Sequence, residues 1–320
     1  MKRYTITLAA VLLLCVAAGI LLASCGGSPA PTGQEDTAVT VIDSLGREVR
    51  LHQKPARVAA LLGSFADVWV LAGGELCAAA EDAAEDFGLD LTDAVNIGGA
   101  HSPNLEMLLS ANPDLVLASS STASHVEMLT PLEAAGIAVL YFNVDQFEDY
   151  LAMLDICTDL TGRKDLYEQN GLRVKEQIQV IQEAYAATNP SERERTILLL
   201  RASSGSVKAK GSEGTILGEM LADMGCINIA DSDQSLLENL SVEAVIREEP
   251  HRIFVVTMGS HTQAAMASLE QLMAENPAWG TLEAVGEGRL HVMEKALFNL
   301  KPNDRWGEAY QKLYETLIQD

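Results

Sequence analysis

Short apolar stretches recur along the first half of the chain, and residues with helical spacing follow each of them. Residues 57–62, RVAALL, predict a strand, and the Gly-Ser pair after it predicts a turn into the helix FADVWVLAGG. Residues 114–119 and 138–143 predict further buried strands, separated by a helix over about 125–135. Strands and helices that alternate in this way are typical of a mainly parallel sheet with helices on its faces.

Two segments depart from this pattern. Residues 38–51, AVTVIDSLGREVRL, alternate between apolar and polar positions and predict an antiparallel hairpin that turns at Ser-Leu-Gly. From about 147 to 187 apolar residues recur at spacings of three and four without a proline. This spacing predicts helices, the last of them long and beginning at about Lys164.

The pattern of strands and helices restarts after residue 190. It predicts strands at 196–200, 207–211, 252–257 and 289–293, a turn at 201–206, and helices at 215–225 and 262–275. The chain therefore predicts an α/β fold of two Rossmann-like lobes with mainly parallel sheets, joined by a single long helix. The cleft between two such lobes is the usual place for a ligand.

The amino terminus has the composition of a secretory signal peptide, with Lys2 and Arg3 before the apolar run TITLAAVLLLCVAAGILLA. The sequence LASC that ends at Cys25 has the form of a bacterial lipobox, so Cys25 is predicted to carry a lipid anchor. The alternative is an uncleaved membrane helix, because the run approaches the ~20 residues that span a bilayer. Both interpretations place a soluble body outside the cytoplasmic membrane, at the cell surface or in the periplasm.

At 320 residues the chain is long enough for two cores of ordinary size. Its patterns divide it into a signal peptide (1–24), a lipidated cysteine with a flexible tether (25–38), an N-terminal α/β lobe (39–146), a connecting helical segment (147–189) and a C-terminal α/β lobe (190–320).

The formal net charge of −23 argues against binding to nucleic acid or to anionic lipid head groups. Beyond the amino-terminal segment the cysteines are Cys77, Cys157 and Cys226. Three cysteines cannot all pair with each other, and none has the spacing of a metal site. We interpret them as small buried apolar residues. A single disulfide between two of them is the alternative.

One pattern is written twice, as SPNLEMLLSANPDLVLAS at 102–119 and as NLSVEAVIREEPHRIFVV at 239–256. Aligning Glu106 with Glu243 also aligns a proline in each stretch without a gap. The residues two positions earlier, asparagine and serine, are good N-caps, so both glutamates are predicted at the second position of a helix. The helix macrodipole stabilises a carboxylate there by ~0.3 to 1 kcal/mol, which explains one such glutamate without any partner.

Six stretches in order resemble the periplasmic binding proteins of iron-siderophore, haem and cobalamin ABC transporters. They are VTVIDSLGREVRL…KPARVAAL, GGAHSPNLEMLLSANPDLVLAS, ILGEMLADMGCINIA, LENLSVEAVIREEPHRIFVVTMG, NPAWGTLEAVGEGRLHVM and LFNLKPNDRWGEAYQKLYETL. Together they cover nearly all of the mature chain. The resemblance implies two α/β lobes bridged by a rigid helix, with little hinge closure.

The resemblance also implies a role and a partner. Such a receptor captures a bulky metal chelate or tetrapyrrole and delivers it to an ABC permease dimer in the membrane. One glutamate on each lobe docks with permease arginines in this family, and those positions match Glu106 and Glu243. The protein is then expected to be a monomer, with no cofactor of its own and a ferric siderophore, haem or corrinoid as its ligand.

Residues that touch the ligand are expected where strands end in loops between the lobes. The candidates are Ser64, Phe65, His101, Ser120, Tyr141, Arg201, Lys210, Met258, His261, Phe298, Lys301 and Arg305. Arg201 follows an apolar run, so its guanidinium could hold an anionic chelate, and a surface ion pair is the alternative. Phe298 and the cations near it could contact a conjugated ligand, whereas Trp306 favours the core face of the last helix.

No metal site is assigned. His101, Met258 and His261 are weak candidates for axial ligands to haem iron or corrinoid cobalt, because none has a metal-binding spacing. A ferric siderophore is the leading ligand, and haem or cobalamin is the alternative.

Two further classes remain open. An extracellular enzyme on the same scaffold would need catalytic residues, but the chain has no G-x-S-x-G elbow, P-loop, H-E-x-x-H or dinucleotide fingerprint. A signalling receptor would bind its ligand without importing it.

Overall fold

The computed structural model describes residues 38–52, 54–259 and 261–319, which form one compact unit. The predicted signal peptide, the lipidation site Cys25 and nearly all of the predicted tether lie outside the described residues. Within the described ranges, no helix combines the length and the apolar character that crossing a bilayer requires.

The described chain begins with the predicted hairpin, in which β1 (Ala38–Ile42) pairs antiparallel with β2 (Glu48–His52). The Asp43 carboxylate closes the turn by accepting two backbone N–H groups, each at 3.0 Å. The backbone N–H of Ser44 donates to the carbonyl oxygen of Tyr141 at 2.8 Å, so the hairpin is attached to the first sheet.

The first sheet belongs to the N-lobe, our name for residues 38–146. Its strands are β3 (Val58–Ala60), β4 (Leu76–Ala79), β5 (Val95–Asn96), β6 (Leu115–Ser119) and β7 (Ala138–Phe142). The N-lobe helices are α1 (Gly63–Leu71), α2 (Asp82–Glu85), α3 (Leu105–Ser110), α4 (Ala123–Glu127) and α5 (Leu129–Ala134). All strand pairs are parallel, in the order β5-β4-β3-β6-β7. Strand β6 is buried along its whole length, as expected for a parallel strand covered on both faces.

Helices connect the two sheets. They are α6 (Phe147–Thr161), α7 (Lys164–Tyr167), a π-helical turn (Glu168–Leu172) and α8 (Arg173–Ala187). The last three follow one another without a break and form the predicted long helix, which we call the bridging helix (164–187). A Cβ on Gly171 would lie 2.7 Å from Leu151 Cδ1. Glycine at this position therefore allows the bridging helix to approach α6 closely.

The second sheet belongs to the C-lobe, our name for residues 190–319. Its strands are β8 (Thr196–Ser203), β9 (Ser206–Lys210), β10 (Ile227–Asn228), β11 (Arg252–Thr257) and β12 (Leu290–Met293). Its helices are α9 (Glu192–Arg195), α10 (Ile216–Asp223), α11 (Gln234–Asn239), α12 (Val242–Glu248), α13 (Thr262–Glu275), α14 (Glu283–Gly286), α15 (Lys295–Phe298) and α16 (Trp306–Ile318). Short 3₁₀ turns are formed by Ile229–Asp231, Pro277–Thr281 and Asn303–Arg305. The parallel order is β10-β8-β11-β12, and β9 pairs antiparallel with β8.

Three hydrophobic clusters stabilise this architecture. The largest includes Leu117 of the N-lobe, Ile178 of the bridging helix, and Leu199 and Trp306 of the C-lobe. Each of the other two lies within one lobe. The lobes are therefore held by a shared core around the bridging helix, which confirms the predicted fold class.

Strand β8 corrects one prediction. The predicted turn at 201–206 is reduced to Ser204 and Gly205, because β8 continues to Ser203 and pairs there with Ser206. Arg201 therefore lies inside the strand and not after it. Backbone pairing with β9 compensates for the weak strand preference of the polar residues in this hairpin.

The N-lobe corrects two others. The predicted helix over 125–135 consists of two short helices that meet at Met128, with Pro131 in the first turn of the second. Strands β4 and β5 were not predicted, because LCAA and VN are too short and too poor in β-branched residues to give a pattern.

Candidate functional site

The last part of the C-lobe lies along the end of the N-lobe sheet. The side-chain amide of Asn303 donates to the carbonyl oxygen of Ser64 at 2.9 Å and to Asp67 Oδ2 at 2.7 Å. Lys295 Nζ donates to Asp86 Oδ1 at 3.0 Å. Ser64 follows β3 and Asp86 follows β4, so these contacts define where the lobes meet.

Lys301 lies at the same junction. Burial lowers the pKa of its ammonium group, and the carboxylates of Asp145 and Asp149 oppose that shift. Among the described residues, no hydrogen-bond acceptor is found for its Nζ. Lys301 is therefore a half-buried cation within electrostatic range of the carboxylates that follow β7.

Three cations share one face of the β8–β9 hairpin. Arg201 is the register partner of Lys208, and Leu199 is the partner of Lys210. Because side chains alternate along a strand, Arg201, Lys208 and Lys210 lie on the face that Leu199 shares with the central core. We call these three residues the cationic hairpin.

No carboxylate of the described chain forms an ion pair with the guanidinium of Arg201. Its Nε is buried and has no hydrogen-bond partner in the described part of the chain, and burial lowers its pKa. Burial also lowers the pKa of Lys210, and the charges of Arg201 and Lys208 lower it further. The surface ion pair that the sequence left open for Arg201 is therefore not found among the described residues.

Arg201 and Lys210 line a groove of ≈ 1060 Å³ on the C-lobe. Three carboxylates also line it, those of Glu213, Glu219 and Asp231, and the last two have backbone partners. Asp231 accepts the N–H and the hydroxyl of Ser212, each at 2.7 Å, and Glu219 accepts the N–H of Gly214 at 2.9 Å. The described groove thus combines two hydrogen-bonded carboxylates, a third that is exposed, and two cations for which the described residues provide no ion-pair partner.

A carboxylate of the N-lobe lies within electrostatic range of the groove. Burial raises the pKa of Glu219, and Asp145 of the N-lobe contributes to that increase. Asp145 also acts on Lys301, so one N-lobe carboxylate lies within electrostatic range of both the groove and the junction. This arrangement suits an anionic ligand that enters from the side of the cationic hairpin.

Three predicted ligand contacts are instead core residues. Phe65 is buried and packs edge-to-face on Phe142, with ring centroids 6.0 Å apart. Tyr141 is buried and its hydroxyl donates to the carbonyl oxygen of His125 at 2.7 Å. Phe298 is buried in the shared core. In this structure each of the three rings is covered by the protein, so none of them presents a free face to a ligand.

Ser64 is also buried, and its carbonyl oxygen already accepts from Asn303. Ser120 is half-buried next to β7, where its N–H donates to the carbonyl oxygen of Phe142 at 3.0 Å. Arg305 is exposed, and its Nε forms an ion pair with Glu308 Oε2 at 2.8 Å.

The three weak metal candidates are exposed loop residues. His101 follows β5, Met258 follows β11, and His261 lines a separate shallow depression before α13. The described residues hold no cluster of three or more His, Cys, Asp or Glu suited to a metal ion. The three cysteines are free thiols, and burial raises the pKa of Cys157 to about 12.

The two predicted docking glutamates occupy matching positions. The Asn104 side chain caps α3 by accepting the N–H of Met107 at 3.1 Å, and Ser241 caps α12 by accepting the N–H of Ala244 at 3.3 Å. Glu106 and Glu243 therefore stand at the second position of their helices, as predicted, and both are exposed.

Sequence reasoning missed the junction made by Asp67 and Asn303. Burial raises the pKa of Asp67 to about 6, although the hydrogen bond from Asn303 lowers it. Asn303 is buried and has a positive φ of 53°, which asparagine tolerates better than most residues. The stretch KPND at 301–304 indicates a turn that asparagine favours. It does not reveal that the partner of Asn303 lies more than 200 positions earlier in the chain.

The family model described as periplasmic binding protein matches residues 52–297. The chain is 24% identical over 95% of its length to the ABC transporter substrate-binding lipoprotein YvrC of Bacillus subtilis, and the match covers 95% of that protein. It is 23% identical to the Fe(3+)-citrate-binding protein YfmC of Bacillus subtilis, with 92% of each chain covered. Its fold superposes on Staphylococcus aureus SirA complexed with staphyloferrin B with a TM-score of 0.68 and 19% identity, over 87% of this chain and 98% of that one.

Proposed function

Because the chain belongs to the periplasmic binding protein family, we propose that it is the extracytoplasmic substrate-binding lipoprotein of an ABC importer and that it captures an anionic ferric chelate. The observation that carries this proposal is the cationic hairpin. The Nε of Arg201 is buried, no counter-ion for its guanidinium is found among the described residues, and its side chain lines a groove large enough for a small chelate.

An anionic ligand would satisfy the hairpin. An unsatisfied buried donor costs about 1 to 3 kcal/mol and more when it is charged, whereas a hydrogen bond between a guanidinium and a carboxylate is short and strong. The whole chain has a formal net charge of −23, so its long-range field opposes the approach of anions. Local cations are therefore needed for such a ligand.

The relatives agree with this ligand class. YfmC is named for ferric citrate, and SirA was solved with staphyloferrin B. Haem and cobalamin are the weaker alternatives, because Phe65 and Phe298 do not offer a free ring to a conjugated macrocycle. The chelate travels as cargo, and the protein needs no metal of its own.

We propose that Glu106 and Glu243 dock the loaded protein on the permease. Both carboxylates are exposed, both follow a side-chain N-cap, and neither has a basic partner among the described residues. Two matching carboxylates fit a permease dimer that presents two related sets of arginines. The lipid on Cys25 would keep the protein at the membrane surface, where this encounter takes place.

A ligand panel tests the cargo. Titration calorimetry on the protein from residue 26 onwards should detect ferric citrate, which is anionic, and should detect ferrioxamine, haem and cyanocobalamin weakly or not at all. Native mass spectrometry of the freshly purified protein gives an independent reading of any copurified ligand. A preference for haem or cyanocobalamin would contradict the anionic chelate, and no binding to any of the four would count against the receptor.

A double variant tests docking. Glu106→Ala with Glu243→Ala should leave the Kd for ferric citrate unchanged and reduce cellular uptake of ⁵⁵Fe from ferric citrate by at least about tenfold. Glu127→Ala with Glu270→Ala removes two other exposed helical glutamates, one per lobe, and serves as the control. Normal uptake by the Glu106 and Glu243 variant would rule out the docking role and would favour a receptor that signals.

A further inference from the structure

One exposed aliphatic side chain lies beside each docking glutamate. Leu109 is 37% exposed and Ile246 is 40% exposed, and each follows its glutamate by three positions. Residues three apart on a helix are neighbours on its surface. Leu109 therefore lies next to Glu106 on α3, and Ile246 lies next to Glu243 on α12.

Core packing does not account for this pair. The preceding residues, Leu108 and Val245, are fully buried, whereas Leu109 and Ile246 belong to none of the hydrophobic clusters of the described chain. A single exposed leucine needs no explanation. The same exposure at the same helical position in both lobes does, because the two helices pack against different cores.

The neighbouring charges leave both patches open. The Ser241 hydroxyl donates to Glu243 Oε2 at 3.2 Å, and this contact orients the carboxylate without neutralising it. Arg247, the nearest cation along α12, is held by Asp233 at 2.6 Å and by Glu248 at 2.9 Å. Each lobe thus presents a free carboxylate and a free aliphatic side chain about one helical turn apart.

We propose that Leu109 and Ile246 are the apolar half of the permease contact, and that each fills a hollow beside the basic side chain that its glutamate binds. This inference rests on the docking role proposed above. A permease dimer offers two related surfaces, which is what two matching patches fit. A second copy of this chain fits less well, because a self-complementary interface would bring carboxylates of like charge together.

The two patches differ in one respect. Met107 is 44% exposed beside Glu106, but its counterpart in the C-lobe, Ala244, is buried. The N-lobe patch is therefore broader than the C-lobe patch. Substitution at Leu109 should consequently be the milder of the two single changes, since Met107 still covers part of the hollow.

Site-directed photocrosslinking tests which partner meets these side chains. A benzophenone amino acid is placed at position 109, 246 or 180 of the full-length lipoprotein in cells that lack the natural copy. Val180 is the control, because it is 65% exposed on the bridging helix, away from both patches. Crosslinks from 109 and 246, but not from 180, to an ABC permease subunit identified by mass spectrometry are expected. Crosslinks only to other copies of this chain, or equal crosslinks from position 180, would overturn the proposal.

A double variant gives the functional test. Leu109→Ser with Ile246→Ser should reduce ⁵⁵Fe uptake from ferric citrate by about tenfold, as expected for the loss of two partly buried aliphatic contacts, and Val180→Ser should not. The Kd for ferric citrate and the melting temperature should remain those of the parent protein. Parental uptake by this variant, while the glutamate double variant is impaired, would refute the apolar contact and leave the docking role intact. Parental uptake by both would refute the docking role as well.

Discussion

The two lobes are alike where they present α3 and α12 and unlike where their sheets end at the groove. Both helices begin with a side-chain cap, carry a glutamate at the second position and expose an aliphatic residue at the fifth. Among the described residues that line the groove, Arg201 and Lys210 come from the β-hairpin of the C-lobe, whereas Asp145 of the N-lobe acts on the groove through the pKa of Glu219.

This contrast suggests that docking on the permease and binding of the cargo use different parts of the same fold. A partner with two related halves favours repeated features, which is why we propose that the repeated glutamates and aliphatic residues form the permease contact. A single asymmetric ligand places different demands on the two lobes, which is why we propose that the unrepeated cationic hairpin binds the cargo. The predictions below test this division, from the largest effect to the smallest.

Removing the central cation should have the largest effect on the cargo. Hydrogen bonds to charged groups contribute about 1.5 to 3 kcal/mol, so Arg201→Gln should raise the Kd for ferric citrate by about 10- to 100-fold. Titration calorimetry measures the change. Arg173→Gln is the matched control, because Arg173 is an exposed arginine on the bridging helix. An equal loss of affinity in both variants would mean that only the net charge of the protein matters. Unchanged affinity in Arg201→Gln would show that ferric citrate binds outside the groove.

The junction between the lobes should show a pH dependence. Because burial raises the pKa of Asp67 to about 6, the folded protein binds this proton more tightly than the unfolded chain does. The free energy of unfolding should therefore fall through this group as the pH rises from about 4 to about 6. Asp67→Asn keeps an acceptor for Asn303 and should stabilise the protein by on the order of 1 to 2 kcal/mol at pH 7, with no gain near pH 4.

Urea unfolding at several pH values measures this difference. Asp93→Asn removes an exposed carboxylate of the same lobe and serves as the control. A gain of equal size at pH 4 and pH 7 would show that the proton on Asp67 does not couple to folding.

Substitution of the N-cap residues tests whether α3 and α12 are energetically equivalent. Asn104→Ala and Ser241→Ala should each destabilise the protein by about 1 kcal/mol, because each removes one side-chain acceptor from a first helical turn. Thermal unfolding of the two variants and of Ser110→Ala, a hydroxyl at the other end of α3, gives the comparison. A cost in only one of the two cap variants would show that α3 and α12 are not energetically equivalent.

The sequence was sufficient for features that local rules determine. The hairpin, the long helix from Lys164 and both N-caps follow from alternation, helical spacing and capping preferences, and the structure confirms them. Strands β4 and β5 were missed because LCAA and VN are too short and too poor in β-branched residues to give a recognisable pattern.

The candidate site was predicted less well than the fold. Arg201 was identified because it follows an apolar run, but the sequence did not reveal that its Nε is buried without an acceptor. Phe65, Tyr141 and Phe298 were assigned to the ligand by their place after strands. Their rings instead turn into the core, because burial of a large apolar surface outweighs position along the chain.

The two lysines of the cationic hairpin should have the smallest effects. Both are flexible point charges, and Lys208 is exposed, so Lys208→Gln and Lys210→Gln should each raise the Kd for ferric citrate by about two- to fivefold. The two losses should shrink as the ionic strength rises from 0.05 to about 0.5 M, because salt screens exposed charges more than buried ones. The loss in Arg201→Gln should persist over the same range, since its guanidinium is desolvated. Equal salt dependence for all three variants would show that the hairpin acts only as a diffuse positive patch, and the contrast between the lobes would then be one of long-range field and not of a built site.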